Sequence, residues 1–229
     1  ALRWYHIWTY SYCNSKPFSQ PLTKEMLEAE YQETYDWAVH MLTQHQNSNK
    51  VFFVGNWEGD WELMWSSGCR CDGKFDFHHA PKPENVQRYV DWAQTRQRAI
   101  DDAKRDVQPD GVDMFYYIEF NLECENYDSN PDCPDHKHEH RPTILNSVVP
   151  QVNPDFLSYS SYKSTNKYIN QKGKWFDPKK LDEKFFALLD FAESKLEDKD
   201  ATDFSSVLGE SALTKKRVFV GEFGSMRCS

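Results

Sequence analysis

The sequence predicts an α/β fold built on parallel strands. Short apolar runs that end at glycine, such as 51–55 (VFFVG) and 217–221 (RVFVG), read as buried strands. Between the strands lie stretches of about 15–25 residues with an apolar period near 3.6, the mark of amphipathic helices. Strand and helix alternate along the chain, which implies parallel strands joined by right-handed crossovers. A doubly wound sheet and a (β/α) barrel both satisfy that pattern. At 229 residues the chain has room for one domain with a substantial core.

The elements follow in order. Residues 2–10 (LRWYHIWTY) form the first strand, and Trp4, His6, Trp8 and Tyr10 alternate along it on one face. Thr23 is the expected N-cap of a helix carried by Met26, Leu27, Tyr31, Thr34, Trp37, Ala38, Met41 and Leu42 to about His45. After the NSNK breaker comes the strand 51–56, then an irregular excursion over 66–82. Pro83 opens a second helix, with Val86, Tyr89, Val90, Ala93, Ile100 and Ala103 on its apolar face, to about Asp106. Asp110-Gly111 turns the chain into the strand 113–120. An acidic loop over 123–140 precedes a helix expected near Pro142, and QVNPDFLSYSSY (151–162) supplies a further strand. Asp177-Pro178 starts a helix running through Leu196, and the strand 217–221 comes last.

Composition narrows the function. A net charge of −9 with no basic block argues against nucleic-acid partners and anionic membrane surfaces. The mean hydropathy is −0.82, and no run approaches the roughly 18 apolar residues of a membrane span. No signal peptide is visible at the start of the sequence. No GxGxxG or GxxxxGK[ST] follows a strand, which removes the common nucleotide-binding readings. Cys13, Cys69, Cys71, Cys124, Cys133 and Cys228 are even in number and several lie in loop-like sequence. That usage fits a secreted, disulfide-stapled protein, with Cys124–Cys133 the most plausible local pair. The CRC at 69–71 is too closely spaced for a zinc knuckle.

Chemistry concentrates at two strand exits. Val51–Trp61 (VFFVGNWEGDW) changes abruptly from apolar residues to Asn56, Trp57, Glu58, Asp60 and Trp61. The second exit, RVFVGEFG, delivers Glu222. Two buried strands that each present one Glu suggest paired-carboxylate chemistry, in which one group works as an acid and the other as a nucleophile or base. Asp60 and Glu62 rival Glu58 as the acid, and helix capping is the structural alternative for Glu58. Aromatic residues make up 15% of the chain, eight Trp among them, and several flank these carboxylates as a sugar platform would.

GEFG, preceded by its apolar strand, resembles the nucleophile strand of clan A retaining glycoside hydrolases. That resemblance implies a (β/α)8 TIM barrel, with the nucleophile Glu closing the seventh strand and the acid/base Glu closing the fourth. Glu222 then matches the nucleophile and Glu58, in GNWEGDW, the acid/base. If 51–56 is the fourth strand, 113–120 is the fifth, 154–160 the sixth and 217–221 the seventh. The chain is accordingly expected to be an incomplete segment of the barrel, from the third strand to the seventh. The resemblance implies sugar contacts for Asn56, although Trp57 stands between it and Glu58 where the clan has Asn directly before the Glu. Tyr159 and Tyr162 are the candidates for the tyrosine that assists the nucleophile. Trp57, Trp61, Glu119, Asn121, His6 and Trp8 complete the expected substrate-binding set.

The expected function is therefore retaining hydrolysis of an oligo- or polysaccharide by a secreted protein, with no metal and no cofactor. The alternative is a non-catalytic carbohydrate-binding or structural glycoprotein on the same scaffold. A metal-dependent hydrolase built on His136, His138 and His140 ranks third, because alternate histidines in an acidic loop more often form an exposed polar surface.

Overall fold

A computed structural model describes residues 2–10, 21–65, 81–121, 142–161, 178–199, 204 and 216–223. The fold is α/β, with five parallel strands in the order β1-β2-β3-β4-β5. These are β1 (Trp4–Trp8), β2 (Lys50–Gly55), β3 (Val112–Phe120), β4 (Phe156–Ser160) and β5 (Val218–Glu222). Neighbours in sequence are neighbours in the sheet throughout, as helical crossovers of one hand require.

The sheet curls into a half-barrel. Four strand spacings of about 4.8 Å would separate β1 from β5 by roughly 19 Å in a flat sheet. Instead the rings of His6 on β1 and Phe219 on β5 lie 5.5 Å apart, centre to centre, across the concave face. Phe53, Phe115, Phe156, Phe204 and Phe219 fill that face with edge-on and tilted ring contacts at 5.1–5.9 Å. On the convex face Phe52, Val54, Met114, Tyr116, Ile118, Leu157 and Tyr159 pack under the helices as the main core. β3 is buried along all nine residues, as a central parallel strand covered on both faces must be.

Helix α1 (Lys24–Gln44) begins where expected: Thr23 caps it, its hydroxyl accepting the Met26 N–H at 3.2 Å. A short helix, α2 (Gly59–Trp65), follows β2 directly. It is the helix that the capping alternative for Glu58 required, and it moves Asp60 and Glu62 off any strand continuation. Helix α3 (Pro83–Val107) has Pro in its first turn and ends at Gln108 in the left-handed region. Tyr31 and Tyr35 of α1 donate to Asp102 and Asp106 of α3 at 2.6 and 2.9 Å and bind the two helices together.

The segment before β4 is helical, as expected from near Pro142. Thr143 opens a π-helical turn, Ile144–Val148, that runs into α4 (Val149–Val152). The Thr143 hydroxyl and the Asn146 side chain satisfy each other's backbone N–H groups, a capping box that starts the helix expected near Pro142; that helix runs on through Gln151 and Val152, where strand was predicted. Asn153, in the left-handed region at φ 47°, stops the helix, so the strand occupies only Phe156–Ser160. Helix α5 (Pro178–Glu193) precedes β5. Among the described residues no helix is long and apolar enough to cross a membrane. All six cysteines, His78, His79 and the triad His136, His138 and His140 lie outside the described residues, as does Tyr162.

Candidate active site

The candidate site lies at the C-terminal ends of β2, β3, β4 and β5, where parallel α/β architectures place their chemistry. Glu58 leaves β2 with φ 31°, a left-handed backbone that is uncommon outside glycine. Its carbonyl accepts the Trp61 N–H at 3.0 Å, so its backbone stands at the head of α2. Its carboxylate does not cap that helix. It is 8% exposed and turns to β4, with Oε1 2.6 Å from Ser160 Oγ.

Glu222 reaches the same hydroxyl from β5: its Oε2 lies 2.9 Å from Ser160 Oγ. A β-bulge makes this possible. Ser158 pairs with Phe219 and Tyr159 with Val220, but Ser160 pairs with Glu222, so Gly221 is an extra residue. Strict alternation from Phe219 would have sent Glu222 to the helix side. The bulge returns it to the concave face beside Glu58. Ser161 then fixes the Glu222 backbone, its N–H and hydroxyl both donating to the Glu222 carbonyl at 2.9 Å.

Beneath this pair lies Glu119 of β3, which is 0% exposed. Its Oε1 accepts the Glu58 N–H at 2.9 Å, and its Oε2 accepts the Ser158 hydroxyl at 2.7 Å. Burial pushes its carboxyl up to about 7; the two hydrogen bonds oppose that shift, and the charges of Glu222 and Glu58 add to it. Burial likewise raises Glu58. Hydrogen bonds from Ser160 and Trp61 act against the rise, whereas the Glu222 and Asp60 charges reinforce it.

Several predicted binding residues are placed elsewhere. Asn56 is 1% exposed and turns to the helix side, its amide donating to Tyr89 Oη at 2.8 Å and the Trp57 carbonyl at 3.3 Å. Gly55 continues the concave row of Phe53, so the next residue necessarily faces away. Tyr159 is also on the convex face, stacked on Phe120 at 5.0 Å in the core, because Ser158 and Ser160 occupy the concave positions either side of it. Glu119 has both oxygens engaged below the surface and is not open to substrate. Asn121 is 3% exposed and spans Asp60 and Trp61, its amide nitrogen 3.3 Å from Asp60 Oδ2 and its oxygen accepting the Trp61 indole N–H at 2.6 Å. Asp60 is tied into backbone, Oδ2 accepting the Asn121 N–H at 3.0 Å and Oδ1 the Ile144 N–H at 2.9 Å.

Four others keep a place near the pair or on its face. Trp57 and Trp61 flank Glu58 and are half-buried. His6 and Trp8 share the concave face, with the His6 ring 4.6 Å from that of Tyr117 and Trp8 42% exposed at the same strand end as the glutamates. Glu62 sits behind the site, half-buried near Asn56, and burial pushes it up to about 8 against the opposing charge of Arg96. Among the described residues no cluster of three or more His, Cys, Asp or Glu is arranged to hold a metal ion.

Ser158, Ser160 and the bulge at Gly221 are not among the residues expected from the sequence. A signal for the serines was present: in FLSYS the hydroxyls alternate with Leu157 and Tyr159, which puts both on one face of a buried strand.

No protein-family model matches the chain, and neither a curated protein nor a solved structure matches it.

Proposed function

We propose that this protein is a retaining glycoside hydrolase in which Glu58 is the acid/base and Glu222 the nucleophile, and that its five strands are the third to seventh of a (β/α)8 barrel. The observation that carries this reading is the shared contact to Ser160. A hydroxyl 2.6 Å from Glu58 Oε1 and 2.9 Å from Glu222 Oε2 holds those oxygens within about 5.5 Å of each other. Retaining hydrolysis needs carboxyl groups about 5–5.5 Å apart, and inversion about 6.5–9.5 Å to admit a water. The order of strands supports the pairing as well, because the two glutamates close β2 and β5, three strands apart.

The proton inventory fits the two steps. A serine hydroxyl has one hydrogen to donate and can accept another bond on its oxygen. With Glu58 protonated, as its raised pKa favours, Glu58 donates to Ser160 and Ser160 donates to the ionised Glu222. Glu222 attacks the anomeric carbon while the Glu58 proton passes to the leaving oxygen, and a glycosyl ester forms on Glu222. The Ser160 hydrogen then turns to the newly ionised Glu58. Glu58 next removes a proton from water, which attacks the anomeric carbon and releases Glu222. Trp57, Trp61 and Trp8 offer apolar faces on which a sugar ring stacks.

Hydrolysis of aryl glycosides by the unaltered protein, Glu58→Gln and Glu222→Gln tests the assignment. Each substitution is expected to lower kcat by about 100-fold or more. Full activity in both variants would contradict it.

A further inference from the structure

We propose that Glu119 is a positioning residue: its carboxyl group fixes the left-handed backbone at Glu58 and thereby aims the Glu58 carboxyl at Ser160 and Glu222. The inference rests on the reading of Glu58 and Glu222 as the reacting pair, but its structural half stands apart from it.

Glu58 carries two features that need an external hold. Its φ of 31° is a conformation that an L-residue leaves unless its surroundings impose it. Its N–H emerges at the exit of β2, past the last ladder bond, in a buried place where an unpaired donor is costly. Glu119 Oε1 answers both by accepting that N–H at 2.9 Å. Glu119 is in turn locked by two other strands. Ser158 of β4 donates to its Oε2 at 2.7 Å, and Gly221 of β5 leaves just enough room, since a β-carbon there would come within 2.8 Å of the same oxygen. One buried side chain thus connects the exits of β2, β4 and β5, which carry Glu58, Ser160 and Glu222. Because it is 0% exposed, it acts through Glu58 and not on substrate.

Length and charge separate this role from the others. Glu119→Gln keeps the reach: its amide oxygen still accepts the Glu58 N–H, and its amide nitrogen donates to Ser158 Oγ. Glu119→Asp keeps the carboxylate but falls short by one methylene. Steady-state kinetics on aryl glycosides and amide hydrogen exchange at Glu58 are to be measured on both variants and the unaltered protein. The expected result is a kcat loss of about 100-fold in E119D with KM unchanged, and a loss below about tenfold in E119Q. Exchange at the Glu58 amide is expected to quicken at least about tenfold in E119D but not in E119Q, with Phe53 and Val54 unaffected. The reverse order of the two variants would make charge the operative property and overturn the proposal. A rise in KM with kcat unchanged would make Glu119 a substrate contact and overturn it too. If the unaltered protein hydrolyses no glycan, the proposed function fails, and the Glu58 amide alone decides. Faster exchange in E119D than in E119Q then upholds the positioning role, and equal exchange in all three proteins overturns it.

Discussion

Gly221 backs onto Glu119 so closely that a β-carbon on the glycine would stand 2.8 Å from Glu119 Oε2 and would overlap the Ser158 hydroxyl as well. The glycine that creates the bulge is therefore also the one that leaves space for the buried carboxyl. Gly221→Ala is expected to destabilise the fold by about 1–3 kcal/mol, the usual cost of an overpacked site. Denaturant unfolding would measure that cost. Hydrolysis should fall further than stability alone explains, because Glu222 is the next residue.

Ser160 contacts both glutamates, Glu58 at 2.6 Å and Glu222 at 2.9 Å. Ser160→Ala removes the bridge without leaving a bulky neighbour, and the fold should tolerate it. The expected outcome is a fall in kcat of about tenfold or more, the value of a lost hydrogen bond to a charged group, with KM little changed. Steady-state kinetics on an aryl glycoside reads both numbers.

Asp60 looks like a rival acid in the sequence and a structural clasp in the fold. Its two oxygens hold the Asn121 and Ile144 N–H groups at 3.0 and 2.9 Å. Asp60→Ala leaves two buried donors unpaired, and a loss of about 3 kcal/mol in unfolding free energy is expected. The folded fraction should keep kcat within about tenfold. An acid role for Asp60 would instead cost 100-fold or more, in the range of about 10²–10⁴ typical of a general acid.

Stability should fall as pH rises through neutrality. Glu119 and Glu62 are held up to about 7 and about 8 in the fold, above the ordinary value of 4.5. Between 4.5 and those values the unfolded chain binds fewer protons than the folded one, so unfolding becomes easier with each step in pH. Below 4.5 both states are protonated and these groups contribute no penalty. For Glu119 the full shift corresponds to roughly 3 kcal/mol. Thermal unfolding from pH 5 to pH 8 should show a falling Tm, and Glu119→Gln should flatten the part of that slope between pH 5 and 7.

The parts of this arrangement that a linear pattern encodes are legible in the sequence. VFFVG and VFVGE are apolar runs that read as strands, although β2 is largely buried whereas β5, expected to be buried, is only half-buried along its length; Thr23 and Pro83 mark helix starts through their own chemistry. What escaped depends on parity and register. Asn56 and Tyr159 carry the right chemistry but sit one residue out of phase with the concave face. Glu222 should be out of phase as well, and only the bulge at Gly221 restores it. A bulge is a property of two strands in register, so VFVGE alone does not announce it. Asp60 and Glu119 were ambiguous for a related reason: their roles are set by the backbone N–H groups of residues 121, 144 and 58, far away along the chain.

We propose that Glu58 and Glu222 cleave a glycosidic bond by double displacement. Proton NMR of the first-formed sugar, taken before mutarotation, tests it most directly on any glycan that the protein hydrolyses. The anomeric configuration of the product is expected to match that of the substrate. A product of the opposite configuration would contradict it, since two carboxyl groups joined through one hydroxyl leave no place for an inverting water.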